Sequence, residues 1–406
     1  MDSLITAAAR SLAEGDPLNA LKRVALREDP PAVALRGMAL AQLGDLKAAK
    51  QLLRRAARAF GPREPIARAR CCVAEAEIAL VLRDIGKPMH GLEDARAALG
   101  RHGDRANEAH AGYLQARRLL LIGRLDEAQA ILEGLDPGAL PPASRAGAWL
   151  VAAGIAIRRI EAAPARAALG KAALAAEQTG IAALMAEVER EVQAFGEPAA
   201  RLLTQAGERL LGLDEVEALI ASDALVVDAS RNLVRAGREV VPLASRPVLF
   251  ALARALAEAW PGDVSREILL ARAFRARQVD ESHRARLRVE IGRLRSGLGA
   301  LAEVLATESG FVLRPGGGRR VAVLVPPQED EHADILALLA DGEAWSSSAL
   351  ALALDVSPRT VQRALEALAS AGKADSFGRG RACRWMARQV PGFPTSLLLP
   401  APLPAG

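Results

Sequence analysis

From Met1 to about Ala200 the chain reads as one helical pattern after another with almost no strand-favouring run, broken by short turns at Gly15-Asp16, Gly44-Asp45, Gly86-Lys87 and Gly123-Arg124. Helices of this kind bury their apolar stripes only by packing against their sequence neighbours. The first half is therefore expected to be a stacked helical array, and each glycine-led turn is expected at a helix-helix junction.

The last two of those intervals are near the size of a helix-pair repeat, so internal repetition is the natural next reading. The segment Ala39-x-x-x-x-Gly-Asp-Leu-Lys-Ala-Ala49 resembles the centre of a tetratricopeptide unit, Gly123-Arg-Leu-Asp-Glu-Ala128 repeats its grammar, and a weaker copy lies near Arg159 to Ala168. The resemblance implies about four to five units, the first truncated, stacked so that one concave face is free to hold a peptide, protein or small ligand. An array that only packs or dimerises is the alternative.

The region also holds His90, His102 and His110 within about twenty residues, too loosely spaced to put two ligands on one helical face. With Arg101, Asp104 and Arg105 around them they read as a solvated loop. Cys71 and Cys72 are adjacent and Cys383 is remote, which offers neither a disulfide framework nor metal-ligand spacing and suits a reducing compartment. Gly316 to Gly318 followed by Arg319-Arg320 lacks the Gly-Lys-Ser/Thr ending of a phosphate loop and is expected to be a flexible linker. No cofactor, metal or nucleophile-base constellation is expected, so the chain is read as a non-enzyme. Asp2, Arg10 and Glu14 interrupt the N-terminus, and no run approaches 18 apolar residues. The expectation is a cytoplasmic, nucleoid-associated chain with no membrane partner.

Net charge is +5 with 53 basic residues, too little by itself to establish a nucleic-acid partner. Its placement is more telling. From Val356 to Val390 seven basic residues (Arg359, Arg363, Lys373, Arg379, Arg381, Arg384 and Arg388) face two acids, Glu366 and Asp375, whereas Glu329 to Asp355 carries acids and no lysine or arginine. In the same stretch Asp355 suits a turn, Ser357 can cap a helix, and Pro358 suits the first helical position, where its missing N–H costs nothing. Val361, Leu365 and Leu368 then form one apolar stripe, leaving Arg359, Gln362, Arg363 and Glu366 on the opposite face.

With a short helix at Ser347 to Leu354 before it and a hairpin ending in Arg384-Trp385 after it, the stretch Glu331 to Met386 resembles the bacterial winged helix-turn-helix. The resemblance implies duplex DNA as partner. Arginine reads guanine and glutamine adenine in the major groove, Ser357 and Thr360 sit where amides near the helix start hold a phosphate, and Arg379 and Arg381 reach an adjacent minor groove or its phosphates.

A second such module is expected in the middle. Leu225-Val-Val-Asp and Glu239-Val-Val-Pro-Leu243 flank the turn-rich Arg235-Ala-Gly-Arg and read as a small antiparallel sheet. Helices follow at about Arg246 to Ala259, Val264 to Phe274 and Glu281 to Ala300, then a strand through Phe311 to Arg314. The order resembles the winged helix of the OmpR/PhoB response regulators, carried by Arg238-Glu-Val-Val-Pro-Leu, Val264-Ser-Arg-Glu-Ile-Leu, Val289-Glu-Ile-Gly-Arg-Leu-Arg295 and Gly310-Phe311. It implies a recognition helix at Glu281 to Ala300 with Leu287, Ile291, Leu294 and Leu298 inward. Arg286, Val289 and Arg293 then point outward, flanked by Arg288 and Arg295. Ala285 stands where the family usually carries arginine, and the turn around Thr307 to Gly310 is short and lacks a basic residue. DNA contact, dimerisation and a polymerase-contacting surface are the roles open to this module.

The expected architecture is thus mainly α. A helical-repeat (tetratricopeptide-like) array at 1–205 precedes two α+β winged-helix domains at 206–325 and 326–389 and a proline-rich apolar tail at 390–406. The expected function is transcription regulation on double-stranded DNA, as a homo-dimer, with a protein or peptide on the repeats and RNA polymerase as further partners. The alternative is an interaction scaffold whose winged helices mediate protein contacts.

Overall fold

The computed structural model describes residues 3–81, 90–136, 138–205, 207–274, 281–327, 332–339, 345–354, 356–378, 380 and 383–387 of the 406. Gly86-Lys87, Asp355, Arg379, Arg381 and the tail 390–406 lie outside them. The fold is mainly helical, with small sheets in its second half, and among the described residues no helix is long and apolar enough to cross a membrane.

The first part holds eleven helices among the described residues: α1 (Ser3–Ala13), α2 (Pro17–Val24), α3 (Pro30–Gln42), α4 (Leu46–Phe60), α5 (Pro65–Val81), α6 (His90–Arg101), α7 (Arg105–Leu121), α8 (Leu125–Glu133), α9 (Pro142–Arg159), α10 (Ala162–Glu177) and α11 (Ala182–Gly196). Most neighbours in sequence pack together, and each odd-numbered helix also touches the next odd-numbered one from α1 through α11. The odd helices thus form an inner layer, and the sequence shows why. Helix α4 buries only Ala49, Leu53, Ala56 and Phe60, one face, while α7 is buried nearly all round, from Asn107 and Ala109 through Leu121.

The turns follow one rule. Gly15, Gly44 and Gly103 take positive φ, and the following Asp16, Asp45 and Asp104 each accept the N–H of a residue three positions on, capping α2, α4 and α7. Gly123 also has positive φ, but Arg124 after it makes no side-chain cap. The Gly103-Asp104 turn corrects the solvated-loop reading. Asp104 is buried and bonded to Arg70 of α5, because its short carboxylate at a helix start faces the adjacent inner helix.

His110 is likewise fully buried. Its Nδ1 lies 2.8 Å from Ser144 Oγ on α9 and its Nε2 3.3 Å from Glu77 Oε2 on α5, so one imidazole ties three consecutive inner helices. Among the described residues no group of three His, Cys, Asp or Glu side chains is placed to hold a metal.

The middle part contains β1 (Ala200–Thr204), β2 (Gly207–Leu211), α12 (Leu213–Ala221), β3 (Leu225–Asp228), β4 (Leu233–Ala236), β5 (Glu239–Pro242), α13 (Pro247–Ala259), β6 (Asp263–Ser265), α14 (Arg266–Phe274), α15 (Glu281–Leu298), β7 (Ala302–Ala306), β8 (Gly310–Pro315) and β9 (Val321–Val325). The expected small antiparallel sheet is part of a six-stranded one ordered β2-β1-β9-β3-β4-β5. In it β9 runs parallel to β3 and antiparallel to β1. All five residues of β9 are buried, because Val321, Val323 and Val325 face a core with α13 and α15 while Ala322 and Leu324 face one with α12.

Gly316–Gly318, expected as a flexible linker, instead forms a 3₁₀ turn that delivers the chain into β9. The Gly316 amide donates to Leu301 O over 2.8 Å, and Arg319 Nη1 to Gly316 O over 2.9 Å. A Cβ at 316 would stand 2.5 Å from Ala300 O, so the turn needs glycine there.

The array meets this sheet through the α9–α10 turn. Ile160 packs with Leu211, Val216, Val226 and Leu324, Arg231 donates to Arg158 O over 2.8 Å, and Glu217 accepts the Ala162 amide over 2.9 Å. The last part comprises α16 (Ala333–Leu339), α17 (Ser347–Leu354), α18 (Pro358–Ser370) and the antiparallel hairpin β10 (Ala374–Phe377) and β11 (Arg384–Ala387). Trp345 bridges to Trp385 beside that hairpin.

Candidate nucleic-acid interface

Helix α18 starts as its residue order dictates. The Thr360 amide donates to the Ser357 hydroxyl over 3.1 Å, with Pro358 in the first turn. Val361, Ala364, Leu365 and Leu368 are buried against α16, α17, Ala374 and Trp385, which fixes the rotation of the helix. Ser357, Arg359, Thr360, Arg363 and Glu366 are left exposed.

Arg359 and Arg363 lie one turn apart, and neither makes an ion pair or side-chain hydrogen bond among the described residues. Gln362 is half-buried and donates to Glu366 Oε1 over 3.0 Å. Ser357 Oγ and Thr360 Oγ1 are 2.8 Å apart. The helix start therefore offers two unpaired guanidinium groups, two hydroxyls and the positive end of the helix dipole on one side, which suits an anionic ligand.

Helix α15 has the expected inward set: Leu287, Ile291, Leu294 and Leu298 are all buried. Its exposed cations are engaged differently. The Arg286 guanidinium lies over the Phe274 ring at 4.7 Å, Arg293 donates to Glu290 over 2.8 Å, and Arg295 Nε donates to Val304 O of β7 over 2.6 Å. Arg288 is exposed and has partners of its own. Val289 is 53% exposed between them.

The β7–β8 turn beside α15 is tied down. Arg266 donates to Glu308 O over 2.8 Å and Thr307 O over 3.1 Å, and Asp263 accepts from the hydroxyls of Thr307 and Ser309. The Ser309 and Thr307 hydroxyls hold the Asp263 carboxyl below its ordinary range. The Gly310-Phe311 motif has a local reason, since a Cβ at 310 would fall 1.8 Å from Val264 O where β8 pairs with β6.

The structure thus places Ser357, Arg359, Thr360, Gln362 and Arg363 together on α18, and Arg286, Arg288, Val289, Arg293 and Arg295 together on α15. Arg379 and Arg381 fall outside the described residues. Sequence reasoning missed Phe274, whose ring lies under the Arg286 guanidinium of α15, Arg266, which holds the β7–β8 turn, and Phe377, the last residue of β10. Phe377 packs against the apolar cluster built from α5 to α9 of the array. A large apolar residue at the end of a polar, basic hairpin was the available signal.

No protein-family model matches the chain, and no curated protein or solved structure matches it either.

Proposed function

We propose that the chain is a DNA-binding transcription regulator in which α16 to β11 form a winged helix-turn-helix with α18 as recognition helix. In this reading a tetratricopeptide-like array regulates it and an OmpR/PhoB-like winged helix spans β3 to β8. The single observation that carries the reading is the pair Arg359 and Arg363. Both are exposed and unpaired among the described residues, on a helix whose opposite face is locked into a core. A guanidinium left without a carboxylate presents its full donor fork to guanine or phosphate.

The order of elements supports the middle assignment: β6 pairs with β8 of the β7–β8 hairpin, and α14 and α15 pack on α13. Because Arg286, Arg293 and Arg295 of α15 already hold local partners, base reading is assigned to α18 and backbone or protein contact to the middle unit. The mechanism is binding without chemistry. Phosphate contacts set affinity and register, and base contacts set the site.

The test is recovery of fragments from sheared GC-rich genomic DNA by the purified full-length chain at two salt concentrations, followed by footprinting. Discrete sites that survive the higher salt are expected. Binding that is absent at both salts overturns the reading and leaves the protein-scaffold alternative, since phosphate-driven association must appear at low salt and fall steeply as salt rises.

A further inference from the structure

The two faces of the β10–β11 hairpin have different surroundings. Directly opposed residues share a face, so the register puts Ala374, Ala387, Ser376 and Trp385 on one side and Asp375, Met386, Phe377 and Arg384 on the other. The first side is the module's own: Ala374, Trp385 and Ala387 belong to the core with α18. The second side of a free two-stranded hairpin would face water. Here Met386 is only 4% exposed, and Phe377, at the tip end of β10, packs against the array's α5–α9 cluster. The module is also touched from the middle part, where Ala244, just after β5, packs on its core.

We infer that this contact is an autoinhibitory latch, in which the helical array holds the outer face of the C-terminal wing through Phe377 and keeps the wing from DNA. The inference rests on the proposed role of α18 in DNA binding. A duplex read by that helix runs past the adjacent wing, because helix and wing follow neighbouring stretches of the same duplex. The array covers the wing at Phe377, next to the hairpin turn. DNA and the array therefore compete for the wing, and whatever displaces the wing from the array raises DNA affinity by population shift.

The experiment compares full-length wild type, Phe377→Ser and Phe377→Leu. DNA affinity is measured at fixed salt, and hydrogen exchange is measured across α5 to α9 and β10. The latch predicts faster exchange on both surfaces in Phe377→Ser together with about tenfold tighter DNA binding, because apparent affinity scales with the fraction of open molecules. Phe377→Leu keeps an apolar side chain and is expected between the two, and it carries the test if the serine variant does not fold. Faster exchange with unchanged affinity overturns the latch and leaves a plain packing contact. Unchanged exchange overturns it by showing that wing and array are not docked. If none of the three proteins binds DNA, the proposed function falls and the latch with it, while the exchange data still report whether the surfaces meet.

Discussion

Arg70 of α5 donates its Nε to Asp104 Oδ2 at the head of α7 over 2.7 Å, and both side chains are buried. The same carboxylate accepts two bonds of 2.9 Å from Asn107 Nδ2. Removing the acid strands a buried guanidinium, so Asp104→Ala is expected to cost about 3–5 kcal/mol. The double variant Arg70→Met, Asp104→Ala is expected to lose less than the sum of the two single variants, because no buried charge remains. Urea unfolding of the four proteins of the cycle measures the coupling; an Asp104→Ala loss under about 1 kcal/mol would contradict a buried pair.

Burial pushes the Cys71 thiol up from 9.0 to about 12, and burial raises Cys72 as well. The folded state therefore favours the neutral thiol. Its contribution to stability is whole below about pH 9 and is lost as pH climbs towards 12. Iodoacetamide at pH 8 is expected to label Cys383, which is half-buried, well before Cys71, and Cys71 only once denaturant is added. Peptide mass spectrometry reads the order directly, and equal rates for Cys71 and Cys383 in the native protein would refute it.

Much of the fold was legible where a local rule decides it. Gly15-Asp16 and Gly44-Asp45 mark junctions because positive φ and a capping carboxylate are properties of two adjacent residues. The inward set of α15 follows from helical spacing alone. What stayed hidden depends on partners far along the chain. Val321–Val325 is only a short apolar run until β3, almost a hundred residues earlier, is laid parallel to it. His110 and Asp104 sit among charged residues in sequence, yet their partners Glu77, Ser144 and Arg70 lie 33 or 34 positions away on neighbouring helices. For the candidate site, the start of α18 and its buried Val361, Leu365 and Leu368 could be read, whereas the bond of Gln362 to Glu366 and the engagement of Arg286, Arg293 and Arg295 could not, because spacing shows which way a side chain points and not what it meets.

Ser357 serves as cap and as candidate phosphate ligand, and substitution can separate the two. Ser357→Ala removes the acceptor for the Thr360 amide and is expected to cost about 1 kcal/mol. Ser357→Asp keeps the cap but sets a negative charge at the helix start, so it should retain near wild-type protection of the α18 amides while losing DNA affinity. Hydrogen exchange and fluorescence anisotropy check the two halves. A Ser357→Asp variant that binds DNA as well as wild type would remove Ser357 from the phosphate contact.

Arg363 and Arg295 should fail in different ways. Arg363 is exposed and unpaired among the described residues, so Arg363→Ala should leave the urea midpoint unchanged and weaken binding to the footprinted site by about 1–3 kcal/mol if the contact to a base is bidentate. Equal losses on cognate and scrambled duplexes would make it a phosphate contact instead, and the slope of affinity against salt would then fall by about one. Arg295, whose Nε is held by Val304 O, should show the reverse, because Arg295→Ala frees the β7 end of the hairpin from α15. It is expected to lower stability by about 1.5–3 kcal/mol, the worth of one hydrogen bond with a charged donor, with little change in binding to the cognate site. A selective loss of cognate binding in Arg295→Ala with stability intact would move base reading to α15 and overturn the assignment to α18.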